Sequence, residues 1–299
     1  MRIDNIILSV AVLVLPAAVL PTCASQAARK QVNMLDCSGL PCVEVQLGAA
    51  APVRLMLDTG NAHSVLDLVQ AHSLGLALEP YVTRAGKTVP DFFVAKVPSV
   101  KLGSLEIGPV TFIVTNLKDD VSKGLFPQSS GTLDYVDLRD RVLTLDYRRH
   151  TVEISDAPST TVGESGTLSY PTFGHQGPSI VATTGFAVNG KPITVQVDTL
   201  YTGTLLIYPT SVSRLGLDAA AAVTATRNFP FTDGGVPMIE SKAARESFAG
   251  SDLMKDAPLY FATGKVHTPD GLFDGTVGNA LLNGHRITFD FKSNRFWLD

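Results

Sequence analysis

Two stretches of this chain end an apolar run on an aspartate and follow it with threonine. They are PVRLMLDTG at 52–60 and PITVQVDTL at 192–200, with Asp58 and Asp198 140 residues apart. A carboxylate at the end of a strand that buries its apolar face is costly to hold alone. If two such strands are related by an approximate two-fold axis, their aspartates meet. Two close carboxylates cannot both ionise cheaply, so they share a proton and titrate as a pair. One member then acts as base and the other as acid, enough to activate a water and protonate an oxyanion. Asp-Thr-Gly by itself is a common turn signal; the strand context and the repetition give it weight.

The elements that must position these aspartates repeat as well. Leu74-Gly75-Leu76 recurs as Leu215-Gly216-Leu217, 141 residues on, and GTLDYVDLRDRVLTLDYRRHTVEI from Gly131 recurs as GTVGNALLNGHRITFDFKSNRFWL from Gly275, 144 residues on. Three landmarks in one order with little drift indicate a domain-scale duplication, not a solenoid of 20–50-residue repeats. Within each copy the pattern is β. Val53–Leu57 and Ile193–Val197 are short apolar or alternating runs, and Val142–Tyr147 with Thr151–Ile154, like Arg286–Phe291 with Arg295–Leu298, are strand pairs joined by polar turns. Helix signals are confined to Leu66–Leu74 and to Thr210–Leu215 after Pro209. The sequence therefore predicts an all-β chain of two duplicated lobes: residues 28–155, a Pro/Gly/Ser/Thr-rich linker at 156–167, and residues 168–299.

Composition excludes other classes. The 299 residues are 45% hydrophobic and 17% charged, which is not a disordered composition. A net charge of −4 with no Lys/Arg-rich run gives nothing to displace phosphate counterions, so a nucleic-acid partner is not expected. No phosphate-cradling Gly-rich loop is present, and the six scattered histidines form no metal-binding pair, so neither cofactor nor metal is expected. Residues 6–20, IILSVAVLVLPAAVL, have signal-peptide length and precede a small-x-small site at Ser25-Gln26-Ala27. A cleaved signal peptide at 1–27 predicts a periplasmic or secreted monomer without a membrane span. Lipid anchoring at Cys23 is not favoured, because Pro21 and Thr22 depart from a lipobox. In an exported chain, Cys37 and Cys42 flanking Ser-Gly-Leu-Pro read as a local disulfide that pins the first strand.

LMLDTGNAHSVLD, at 55–67, resembles the active-site segment of retropepsin-like and pepsin-like aspartic proteases, specifically bacterial two-lobed members. The resemblance extends over residues 40–299, because each lobe also has a Gly-x-hydrophobic element and a strand ending Asp-Tyr or Asp-Phe. It implies a duplicated acid-protease-like β-barrel fold with a cleft between the lobes, binding an extended peptide without any cofactor. It further implies Asp58 and Asp198 as the catalytic dyad, Thr59 and Thr199 cross-bonded beneath it, and the Gly60 N–H as support for the carboxylate.

Several residues depart from that pattern. Leu200 replaces the family's glycine; in a turn restricted to glycine its strain would be on the order of 1–3 kcal/mol, and Leu200→Gly is then expected to speed catalysis without loss of stability. Asp134 stands where the second copy has Gly278 and is expected to face solvent, the alternative being an electrostatic effect on the dyad. Asn61 and Tyr201 replace a small residue after each triplet. His63 and Ser64 beside Asp58 suggest a Ser-His-Asp triad, but neighbours at a turn rarely reach triad geometry and no Gly-x-Ser-x-Gly elbow is present. Residues 82–94 and 228–238 are candidate cleft-covering hairpins, or plain connections. The leading function is an exported aspartic endopeptidase. Its competitors are an impaired homologue that binds peptides without cutting them, and a non-enzymatic envelope protein whose acids only form turns.

Overall fold

A computed structural model describes residues 30–83, 85–118, 128–157, 165–171, 180–217, 225–229, 236–262 and 272–299. The N-terminal apolar segment, most of the predicted linker and the tip of the 228–238 hairpin lie outside those residues. The first lobe runs β1 (Lys30–Asn33), β2 (Leu35–Cys37), β3 (Leu40–Leu47), β4 (Val53–Asp58), β5 (Val65–Asp67), α1 (Leu68–Ser73), β6 (Glu79–Val82), β7 (Thr88–Leu102), β8 (Leu105–Thr115) and β9 (Gly131–Asp134). A 3₁₀ turn at Tyr135–Leu138, β10 (Val142–Asp146) and β11 (Thr151–Ser155) complete it. The second lobe runs β12 (Gly166–Ser169), β13 (Ala182–Val188), β14 (Lys191–Asp198), β15 (Leu205–Ile207), α2 (Pro209–Leu215), β16 (Ala225–Phe229), β17 (Val236–Phe248), β18 (Ser251–Ala262), β19 (Gly275–Gly278), α3 (Asn279–Leu282), β20 (Arg286–Asp290) and β21 (Arg295–Leu298). The structure is mainly β, as the alternation of the sequence predicts. Strand β12 begins at Gly166, inside the stretch read as linker.

The two lobes share one topology. In the first, β9 lies between β4, which it pairs in parallel, and β5, which it pairs antiparallel, while β5 runs parallel to β8. In the second, β19 lies between β14 and β15 in the same senses, and β15 runs parallel to β18. Pairing of β3 with β7, and of β13 with β17, curls each sheet back on itself. The repeated sequence landmarks now have physical causes. A Cβ on Gly131 would lie 2.0 Å from the Val65 carbonyl oxygen, and one on Gly275 2.0 Å from that of Leu206, so only glycine lets these central strands cross so closely. Gly75 and Gly216 follow α1 and α2 with φ of +65° and +60°, the left-handed conformation that ends a helix.

Between the lobes, β1, β11, β10, β20, β21 and β12 form one antiparallel run. Its centre is Thr144 opposite Thr288, with Leu143 opposite Phe289 and Leu145 opposite Ile287. These residues are separated by the repeat spacing, so the approximate two-fold axis passes through the threonine pair, whose hydroxyls are 3.0 Å apart. Leu143, Leu145, Val152, Ile154, Ile287, Phe289 and Phe296 are fully buried in a hydrophobic core continuous with the interiors of both lobes. Asp146 and Asp290, the acids of the Asp-Tyr and Asp-Phe endings, each accept a backbone N–H three residues on, from Arg149 and Ser293, and so close the hairpins that follow.

Candidate active site

Strands β4 and β14 end at Asp58 and Asp198, and their following turns meet across the lobe boundary. The Thr59 hydroxyl donates to the Val197 carbonyl at 2.7 Å, and the Thr199 hydroxyl donates to the Leu57 carbonyl at 2.6 Å. Reciprocally, the Thr59 N–H donates to Thr199 Oγ1 at 3.1 Å and the Thr199 N–H to Thr59 Oγ1 at 3.2 Å. Both threonines are fully buried. Each hydroxyl thus accepts and donates, and four bonds hold the two turns in a fixed relation.

Above this lattice each carboxylate is held by its own turn. Asp58 Oδ1 accepts the Gly60 N–H at 2.7 Å. Asp198 Oδ1 accepts the Leu200 and Tyr201 N–H groups at 2.8 and 3.0 Å. Gly60 is needed for close approach: a Cβ there would lie 2.3 Å from Asp198 Cγ. The Gln196 side-chain amide donates to the Gly60 carbonyl at 2.9 Å, tying that turn to β14. Burial raises the pKa of both aspartates, and the charge of Asp198 raises Asp58 further; the turn N–H groups oppose the shift in each. The pair therefore holds a proton well above the usual carboxylate range.

Two sequence expectations are corrected here. Leu200 has a negative φ, since it is absent from the residues in the left-handed region, so its turn carries no glycine-type strain. Its half-buried side chain instead packs on Cys37, Cys42 and Met56 of the other lobe. Asp134 does not face solvent. It is completely buried, directly opposite Asp58 in the β4–β9 register, as Gly278 is opposite Asp198. In the second lobe the corresponding space is filled by Tyr201, whose ring lies where a Cβ on Gly278 would fall. Asp134 in one lobe and the Tyr201 ring in the other thus fill matching places beside Asp58 and Asp198.

Cys37 and Cys42 form a disulfide across the β2–β3 turn. The closed hairpin also reaches the second lobe: Asn279 Nδ2 donates to the Gly39 carbonyl, while Asn279 Oδ1 accepts the Tyr147 hydroxyl at 2.7 Å. Ser64 is not part of a triad. Its hydroxyl donates to Asp137 at 2.5 Å and accepts the Asp134 N–H at 2.9 Å, while His63 is exposed. Residues 82–94 include the turn between β6 and β7, closed by Thr83 N–H to the Lys87 carbonyl. The 228–238 stretch likewise joins β16 to β17. Asp134 and Asp137 as buried or bonded acids were beyond sequence reasoning about type. The signal for Asp134 was its place opposite a glycine in the other copy.

Residues 43–129, from β3 past β8 and including Asp58-Thr59-Gly60, match the family model of an aspartyl protease. No curated protein matches the chain. The match supports a protease, a hydrolase of peptide bonds. Asp198 and the second lobe lie outside the matched span.

Proposed function

We propose that the protein is an exported aspartic endopeptidase in which Asp58 and Asp198 activate a water against the peptide bond of an extended substrate. The observation that carries the reading is the reciprocal threonine lattice beneath two strand-end aspartates, with the aspartyl protease match over the first of them. One carboxylate accepts a proton from water while the other protonates the peptide carbonyl, and no cofactor is required. The β6–β7 and β16–β17 hairpins are the elements proposed to cover the cleft. Export is supported by the apolar stretch at 6–20 and by a disulfide, which persists in oxidising compartments.

The test is to incubate the chain lacking residues 1–27 with a diverse peptide mixture from acid to neutral pH, beside Asp58→Asn and Asp198→Asn. We expect cleavage by the wild type and its loss in both variants, with folding retained. Cleavage at wild-type rates by either variant refutes the dyad. A second reading, an impaired homologue that binds peptides without cutting them, is separated from the first by turnover alone. It predicts peptide binding with no turnover in the wild type.

A further inference from the structure

Asp134 is a buried acid that the dyad does not require and that its own surroundings do not satisfy. Its Oδ2 accepts the Thr132 hydroxyl at 3.2 Å, but no donor among the described residues reaches its buried Oδ1. Asp134 instead stands directly opposite Asp58 in the β4–β9 register, both buried, so that its carboxyl acts on that of Asp58. Two carboxylates can bond to each other only through a proton, and ionising a third acid in this place would leave a buried charge uncompensated. The charged groups shown to act on it disfavour its ionisation. Asp58 on β4 and Asp137 on the 3₁₀ turn add repulsion, Tyr135 beside it is a neutral phenol, and Asp198 lies beyond Asp58. Asp137 is in turn occupied by Ser64 and offset by His63 and Arg139.

We propose that Asp134 is a positioning residue of the dyad: a carboxylic acid kept neutral, donating its proton to Asp58 and thereby easing the ionisation of Asp58 against its burial and the charge of Asp198. This rests on the protease reading for its consequence, but not for its existence. A neutral acid that donates to Asp58 stabilises the Asp58 anion. During hydrolysis the water oxygen attacks the peptide carbonyl carbon and loses its proton to the ionised member of the pair. The proton on the other member goes to the carbonyl oxygen, giving a neutral diol, while Asp134 keeps its own proton throughout. The two lobes are then not interchangeable, because Asp134 acts on Asp58 alone. In the second lobe Gly278 and the Tyr201 ring, not an acid, occupy the matching place, and Asp198 takes the Leu200 and Tyr201 N–H groups.

The test is a side-chain carboxyl titration by NMR on the chain lacking residues 1–27, labelled with ¹³Cγ-aspartate, for the wild type, Asp134→Asn and Asp134→Leu. Expected results are an Asp134 that stays protonated between about pH 4 and 8, and an Asp58 ionisation that moves up by about one pH unit, a tenfold change in proton affinity, in the Leu variant. Asparagine, which still offers a neutral donor, should leave Asp58 close to its wild-type titration. A merely structural Asp134 would not move that titration. An Asp134 that ionises in this range in the wild type overturns the proposal, and so does an Asp58 step that shifts equally in both variants or in neither. If the Leu variant fails to fold, the wild-type and Asn titrations still decide. The acid limb of any cleavage profile should follow the same order, and absence of cleavage with these titrations would defeat the protease reading alone.

Discussion

Leu200 joins the two lobes through packing rather than disturbing its turn. Its backbone is unstrained and its side chain lies on the Cys37–Cys42 bridge and Met56. Leu200→Gly therefore removes apolar contact and frees the turn, and we expect a loss of about 1–2 kcal/mol, a fraction of the value of a fully buried leucine. Urea unfolding of the two proteins measures it, and an unchanged midpoint would contradict the packing role. A second residue-scale prediction concerns Glu246 on β17, which is 1% exposed with neither carboxylate oxygen partnered among the described residues. Its strand neighbours are Val188 and Met254, Tyr201 is near, and burial pushes its pKa up to about 8. Folded Glu246 keeps its proton where the unfolded chain, with a value near 4.5, has lost it. The folded state then binds more protons, so this residue makes stability fall as pH rises from about 4.5 to 8. Glu246→Gln should remove that part of the slope and raise the melting temperature at pH 8; an unchanged pH profile would show the residue is not buried in this state.

At the scale of elements, each lobe depends on a central strand squeezed between its neighbours. The Gly131 Cα faces the Val65 carbonyl so closely that an added methyl must push β9 away from β5. That displacement would carry Asp134 and loosen the wall behind Asp58. Gly131→Ala is expected to destabilise by about 1–3 kcal/mol, as other overpacked sites do, and to disturb the Asp58 titration. Calorimetry together with the carboxyl NMR checks both; stability within experimental error of wild type would mean that β9 can shift freely. The disulfide hairpin works differently. It closes only a short loop, so its entropic effect is small, and its significance lies in presenting the Cys37–Cys42 bridge to Leu200 and the Gly39 carbonyl to Asn279 of the second lobe.

At the scale of the molecule, the inter-lobe strands decide how the two halves of the site meet. Thr144 and Thr288 sit on the approximate axis, buried and bonded to each other. Replacing one by valine strands the other hydroxyl, at a cost of about 1–3 kcal/mol, while replacing both with groups of the same shape is close to neutral. A double-mutant cycle of Thr144→Val and Thr288→Val should therefore show the double variant more stable than the sum of the singles. Strict additivity would mean that the hydroxyls do not depend on one another.

How much of this was legible beforehand follows from the same scales. The duplication, the β class, the paired strand-end aspartates and the short-range disulfide are local signals: apolar periodicity, turn chemistry, glycines that only a close crossing requires, and two cysteines beside one turn. A sequence determines these because the chain's own covalent spacing expresses them. The environments of single side chains were not legible, because they depend on what the other lobe places nearby. Asp134 reads as a surface acid by type, yet register puts it against Asp58. Leu200 reads as a strained intruder, yet its contacts come from a hairpin some 160 residues earlier in the chain. The sequence by itself determined two copies of one lobe and an aspartate at the same point in each. Only the tertiary structure decided that the copies differ around those aspartates, since burial, proton sharing and close packing arise from residues that meet only when both lobes are folded together.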